Sequence, residues 1–309
     1  MLKLKHLADY RKWWYALSLL LIIPGTISLV LFGLKLGIDF TGGSLIEIRA
    51  PAGTAAAEVR DAFGNEYGDP VVQSTSAGTY QVRVKQLDPT EHNDLLATAQ
   101  EALGPQAEEL RFETVGPSIS EELRDKAFLS VSLGALLILL YIAYAFRNVP
   151  KPASSWRFGT TTILTLLHDI LFVIGAFSLL GYFTGLEVDA TFVAALLTAV
   201  GYSVHDTIVV FDRIRENLVR RVGRGFTETV NYSIAQTLVR SLNTSLTLVL
   251  VLIAMYLFGG ESLHGFVLAL LLGTVIGTYS SIFNAAPLLV SWQRWTEKRS
   301  SKRQTGRDS

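Results

Sequence analysis

Cysteine is missing from this 309-residue chain, which excludes disulfides, thiolate metal sites and cysteine nucleophiles. Charge is scarce as well. Asp, Glu, Lys and Arg make up 17% of the residues, against about 25% in soluble domains, and mean hydropathy is +0.35. The chain shows no His and acid cluster with metal-ligand spacing, no nucleophile–base pair and no phosphate-cradling loop. Neither an enzyme nor a cofactor is therefore expected. The basic tail beyond Arg294 fits membrane topology and anionic lipid better than nucleic acid. An integral membrane protein is the class that these shortages leave.

Six apolar runs approach the roughly 20 residues a spanning helix needs: 14–34, 127–146, 160–181, 190–211, 241–258 and 265–290. The first follows Lys3, Lys5, Arg11 and Lys12, as a cleavable signal peptide would. Its apolar run is longer than a signal-peptide core, and no Ala-x-Ala site precedes Lys35, so a retained anchor is expected. Lys and Arg crowd 1–13, 147–158 (Arg147, Lys151, Arg157), 212–239 and the tail 291–309 up to Arg307. The short loops 182–189 and 259–264 contain none. The positive-inside rule then predicts both termini in the cytoplasm, residues 35–126 outside and a bundle over 127–290.

The outer segment reads as a small α+β domain. Ser44–Arg49 alternates like a strand, and Thr54–Phe63 is helical with Thr54 as its N-cap. Pro70–Ser74 and Tyr80–Lys85 form a hairpin around Ala77-Gly78, Pro89–Leu103 is a second helix, and Glu109–Val115 a last strand. The order βαββαβ predicts a ferredoxin-like unit. The predicted fold class is thus a polytopic α-helical membrane protein. It has six transmembrane helices, with one ferredoxin-like extracytoplasmic domain between the first and second.

Two neighbours, His205 and Asp206, interrupt the fourth apolar run. An ionisable group at that depth costs roughly 3 kcal/mol or more, and faces a protein interior or a water-filled path. At 1.5 Å per residue, His168 and Asp169 lie about 12 Å into the third span and His205 and Asp206 about 8 Å into the fourth. Arg240 stands at the mouth of the fifth. An acid, a base and a fixed cation in one layer is what a proton relay requires. Asp206 would take up and release the proton, Arg240 would be the counter-charge, and His205 and His168 would shuttle protons. Ser203, Thr207 and Asn243 would carry hydrogen bonds or water. The competing readings are a wetted carboxylate, a buried tie between helices, and for Arg240 a membrane anchor. Asp212, Arg213, Arg215 and Glu216 read as a solvated boundary. Gly175, Gly181, Ala194, Ala195, Ala199, Gly265, Gly273 and Gly277 permit close helix packing, and Pro287 should kink or end the last span.

Three stretches carry a family likeness: Gly37-Ile-Asp-Phe-Thr-Gly-Gly43, the run from Gly201 through His205 and Asp206 to Asn217, and Gly273-Thr-Val-Ile-Gly-Thr-Tyr-Ser-Ser281. His168-Asp169, Gln236-Thr-Leu-Val-Arg240 and Phe258-Gly-Gly-Glu261 fit too. The chain resembles the SecF family, a subunit of the bacterial SecDF accessory complex of the protein-export translocon and similar to RND transporters. Read from the residues alone, Asp39 and Gly42-Gly43 form a turn where the chain leaves the membrane. The resemblance implies a multi-pass protein of the cytoplasmic membrane that uses the proton gradient, with no other cofactor. It implies SecD as partner, SecYEG and SecA as indirect partners, and translocating preproteins on the outer domain. It also implies Asp206 and Arg240 as proton-path residues. His205 departs from the family's usual Asn, and His264 is a lesser departure. A small-solute transporter half and a passive scaffold are the alternative functions.

Overall fold

Each apolar run sits on a helix that continues past it at one end or both, because intrahelical hydrogen bonding does not stop where hydrocarbon does. The computed structural model describes residues 4–51, 53–75, 78–104, 106–147, 149–150 and 154–305. Lys3, Ala77, Lys151 and Arg307 lie outside the described residues. In chain order the elements are α1 (Arg11–Phe32), α2 (Ile38–Thr41), β1 (Gly43–Arg49), α3 (Ala56–Phe63), β2 (Val71–Ser74), β3 (Tyr80–Val84), α4 (Pro89–Leu103) and β4 (Glu108–Val115). After them come α5 (Pro117–Ala145), α6 (Ser155–Thr184), α7 (Ala190–Val219), α8 (Phe226–Phe258), α9 (His264–Ser280) and α10 (Ala286–Thr305). They divide into two compact units.

The unit expected to lie outside and called the outer unit below, 35–129 with the connector 184–190, contains a four-stranded antiparallel sheet in the order β2-β3-β1-β4. Alternation decides its faces. Ile46 and Ile48 of β1 and Val82 and Val84 of β3 are buried against Val59 and Phe63 of α3 and Leu95 and Ala99 of α4. The caps differ in kind. Asp88 caps α4, accepting from the amides of Thr90 and Glu91 at 2.8 and 2.9 Å. Thr54 does not cap α3. Its hydroxyl donates to the Pro51 carbonyl at 2.8 Å, since a local turn competes for it, and Ala55 takes the N-cap position.

Among the described residues, six helices, lying mostly in the other unit, are long and apolar enough to cross a membrane: α1, α5, α6, α7, α8 and the joined α9–α10. Their burial is uneven. Half or more of the apolar windows of α7 and of α9–α10 is buried, but almost none of that of α5, which turns Leu133, Leu136, Leu137 and Leu140 outward. Phe146, Phe158 and Phe211 form an aromatic cluster with ring centroids 4.8–6.0 Å apart. Small residues set the closest approaches. A Cβ at Gly273 would stand 2.3 Å from that of Ala199, and one at Gly277 would stand 2.7 Å from that of Ser203. Pro287 neither ends nor breaks the last span. A π turn at Ser281–Ala285 occupies the turn with which its ring would clash, and α10 continues to Thr305.

Gly273→Leu should therefore destabilise the bundle by about 1–3 kcal/mol through overpacking, read as a lower thermal midpoint by circular dichroism in detergent. Gly201→Ala, whose methyl would meet nothing within 4 Å, should leave the midpoint unchanged or slightly raised.

Candidate functional site

The buried Asp169 of α6 is bonded from three helices. Its Oδ1 lies 2.8 Å from Nδ1 of His168. Its Oδ2 accepts from Ser203 of α7 at 2.5 Å and from Ser280 of α9 at 2.8 Å. His168 Nε2 lies 3.1 Å from Nδ2 of Asn284, so a neutral imidazole with its proton on Nδ1 satisfies both neighbours. Asn284 in turn donates to Ser18 of α1 at 2.7 Å. The helices are tied together at this point by polar groups, all of them partnered.

Asp206 turns toward α8, three residues beyond Ser203 and so about 4.5 Å along the axis. It is 6% exposed. Ser241 of α8 donates to its Oδ1 at 2.6 Å, and its buried Oδ2 has no hydrogen-bond partner among the described residues. Further hydroxyls lie beyond Ser241, joined to it through its backbone carbonyl. Ser245 donates to the Ser241 carbonyl at 2.7 Å, lies 2.6 Å from Thr278, and accepts from Tyr202 at 2.9 Å. Thr207 donates to Ser281 at 3.2 Å.

The remaining expected members stand apart. Arg240 forms no ion pair with Asp206 or with any other described residue. Its side chain instead lines a cavity of about 570 Å³ with Tyr141, Ile208, Arg213, Gln236 and Thr237. His205 and Asn243 are exposed. Asp212 pairs with Arg215 at 2.7 Å, and Arg213 pairs with Glu216. Ser241, Ser280, Asn284 and Ser18 are the partners that sequence reasoning missed. The one signal available was the pair Ser280-Ser281 inside an apolar run.

The Gly37–Gly43 stretch lies in the outer unit. Gly37 donates to the Val188 carbonyl at 2.8 Å, and an Asp39 carboxylate oxygen accepts from the Ala190 amide at 2.8 Å. Gly42 and Gly43 take φ of +73° and +119°, and a Cβ at Gly43 would meet the Val84 carbonyl at 2.8 Å, so a side chain there is excluded twice over. Beside them, burial and then the Arg83 charge lower the Lys35 ammonium below the usual lysine range.

Six spanning-grade helices with two buried carboxylates define a multi-pass membrane protein. Residues 96–295 match the family model "Protein export membrane protein SecD/SecF, C-terminal", and residues 27–50 match "SecD/SecF GG Motif". The chain belongs to the SecF family of protein translocase subunits. It is 49% identical over 300 residues to the protein translocase subunit SecF of Thermobaculum terrenum, covering 92% of this chain and 94% of the relative. With the SecF of Anaerolinea thermophila it shares 43% identity over 284 residues, 90% of this chain and 91% of the relative. The crystal structure of SecDF, a translocon-associated membrane protein from Thermus thermophilus, superposes with a TM-score of 0.83 at 35% identity, over 95% of this chain. A super-membrane-facing form of SecDF superposes with a TM-score of 0.67 at 36% identity, over 96%. This chain spans only 40% and 39% of those SecDF chains.

The difference in bonding predicts a difference in stability. Asp169→Ala should cost about 2–4 kcal/mol, since it strands several buried donors. Asp206→Asn should stay within about 1 kcal/mol. Thermal midpoints of the two variants in detergent check the contrast.

Proposed function

We propose that this chain works with SecD as an accessory of the Sec translocase and uses the proton-motive force to promote late steps of protein export across the bacterial cytoplasmic membrane. The observation that carries the reading is Asp206, with one oxygen held by Ser241 and the other without a partner among the described residues. A carboxylate oxygen unpaired by protein inside an apolar helix costs free energy unless a proton, a water or a guanidinium meets it. Arg240, one residue before Ser241 and open to the cavity, supplies the guanidinium. In this reading it pairs with Asp206 in one state and releases it in the other, and the absence of an Arg240–Asp206 ion pair among the described residues fits the released one. His205 places a second titratable group next to the carboxylate. For His168 and Asp169 the occupied bonding positions favour a helix tie over proton carriage.

In this proposal the two termini are cytoplasmic and the outer unit lies outside, as the distribution of Lys and Arg supports. The outer unit is a ferredoxin-like domain, a reading supported by the strand order β2-β3-β1-β4 and by the packing of α3 and α4 on one face. It engages translocating preproteins that SecA and SecYEG have begun to move. No cofactor is required beyond the proton gradient. One charge moved through 100 mV yields about 2.3 kcal/mol, enough to bias a two-state swing more than tenfold.

In cells lacking the native gene and supplied with SecD and this chain, Asp206→Asn should abolish the stimulation of a secreted reporter's export at unchanged membrane levels. Full export by Asp206→Asn would leave the scaffold reading in its place.

A further inference from the structure

The connector between α6 and α7, residues 184–190, belongs to the outer unit and is gripped there from several elements. The Val188 amide donates to the Lys35 carbonyl and the Gly37 amide to the Val188 carbonyl, both at 2.8 Å, so that Leu36 and Val188 form a parallel bridge. Glu187 pairs with Arg83 of β3 and accepts from Gln73 of β2 at 3.2 Å. Arg83 also donates to the Leu36 carbonyl at 3.2 Å. The Glu187 and Arg83 side chains are only 23% and 19% exposed, so the pair is shielded from much of the screening that makes surface pairs weak.

The grip ends on a helix. Ala190 is the first residue of α7, and its amide is one of the donors that a helix start leaves without an internal partner. Asp39 accepts from it at 2.8 Å, placing a negative charge at the positive end of the helix dipole. From there α7 runs without interruption to Asp206, about 24 Å along the axis at 1.5 Å per residue. A helix of that kind transmits displacement along its length better than a loop does.

We infer that Asp39, Arg83 and Glu187 form a clamp that makes the start of α7 and the outer unit one moving part. A change at Asp206 is thereby delivered to the domain that handles the exported chain. These are positioning residues; none of them carries the proton. The inference rests on the proposed relay at Asp206, and it assigns a task to the Asp39 stretch that a simple turn does not require.

The test uses the full chain with SecD in inverted membrane vesicles, reading preprotein translocation and proton movement by a pH dye in the same preparation. Arg83→Glu and Glu187→Arg should each lower translocation about tenfold, as the breaking of a coupled pair does. Proton movement should stay within about twofold of the parent in both. The double exchange, Arg83→Glu with Glu187→Arg, should recover most of the lost translocation but not all, since a carboxylate at position 83 cannot donate to the Leu36 carbonyl. Asp39→Asn, which keeps an acceptor for the Ala190 amide, should lose less than Asp39→Ala. Normal translocation by the single reversals would overturn the clamp. Equal loss of both readouts with no recovery in the double exchange would reduce it to a folding contact. An Asp206→Asn control that translocates and moves protons normally would remove the relay, and the coupling role with it.

Discussion

Holding the Asp169 carboxylate away from water is the constraint on which the bundle is organised. The group is costly at that depth unless it is fully hydrogen-bonded. Its donors come from its neighbour His168, from Ser203 of α7 and from Ser280 of α9. Two serines on two helices reach one oxygen only if those helices lie close. Gly273 and Gly277 of α9, against Ala199 and Ser203 of α7, allow that approach. The polar network and the small residues are therefore two sides of one packing solution, and the link through Asn284 to Ser18 extends it to α1.

Against this fixed carboxylate, Asp206 shows what an unfixed one looks like in the same layer. α7 contributes Ser203 to the first and carries the second itself. The framework can stay rigid while Asp206 exchanges partners, because its bonds do not run through Asp206. Ser241 and the hydroxyls beyond it on α8 and α9 form the softer side. Hydroxyls of this type turn to donate or to accept, so they can serve Asp206 in the role proposed for it.

Much of this was legible before any coordinates. The six apolar runs and the four strands follow from hydropathy and alternation, and Asp169 and Asp206 are buried, while His205 and Arg240 stand apart from them. The missed parts are instructive. A lone serine or threonine in an apolar helix commonly bonds back to its own helix, as Thr162 and Thr165 do here, so nothing singled out Ser241 or Ser18. Whether Arg240 pairs with Asp206 depends on rotamers and on the cavity beside it, which no residue spacing encodes. Thr54 fits a cap by type, but the turn at Pro51 claimed its hydroxyl. α8 begins at Phe226, well before its apolar run, because its first turns bury Thr229, Ser233 and Thr237 together with the core residues Val230 and Ile234.

The π turn at Ser281–Ala285 has a consequence for phase. An α-helix advances about 100° per residue, and one residue added to a turn leaves everything after it rotated by about that angle. Asn284 sits inside the widened turn and reaches His168, while Gln293 and the rest of α10 take the phase set after it. Removing a single residue from Ser281–Ala285 would leave the span long enough to cross a membrane and every side chain chemically intact. It would nonetheless turn the final helix through more than a quarter of a revolution, presenting a different stripe of residues to each neighbour. The last span is thus read in two separate frames, and one extra residue marks where the first gives way to the second.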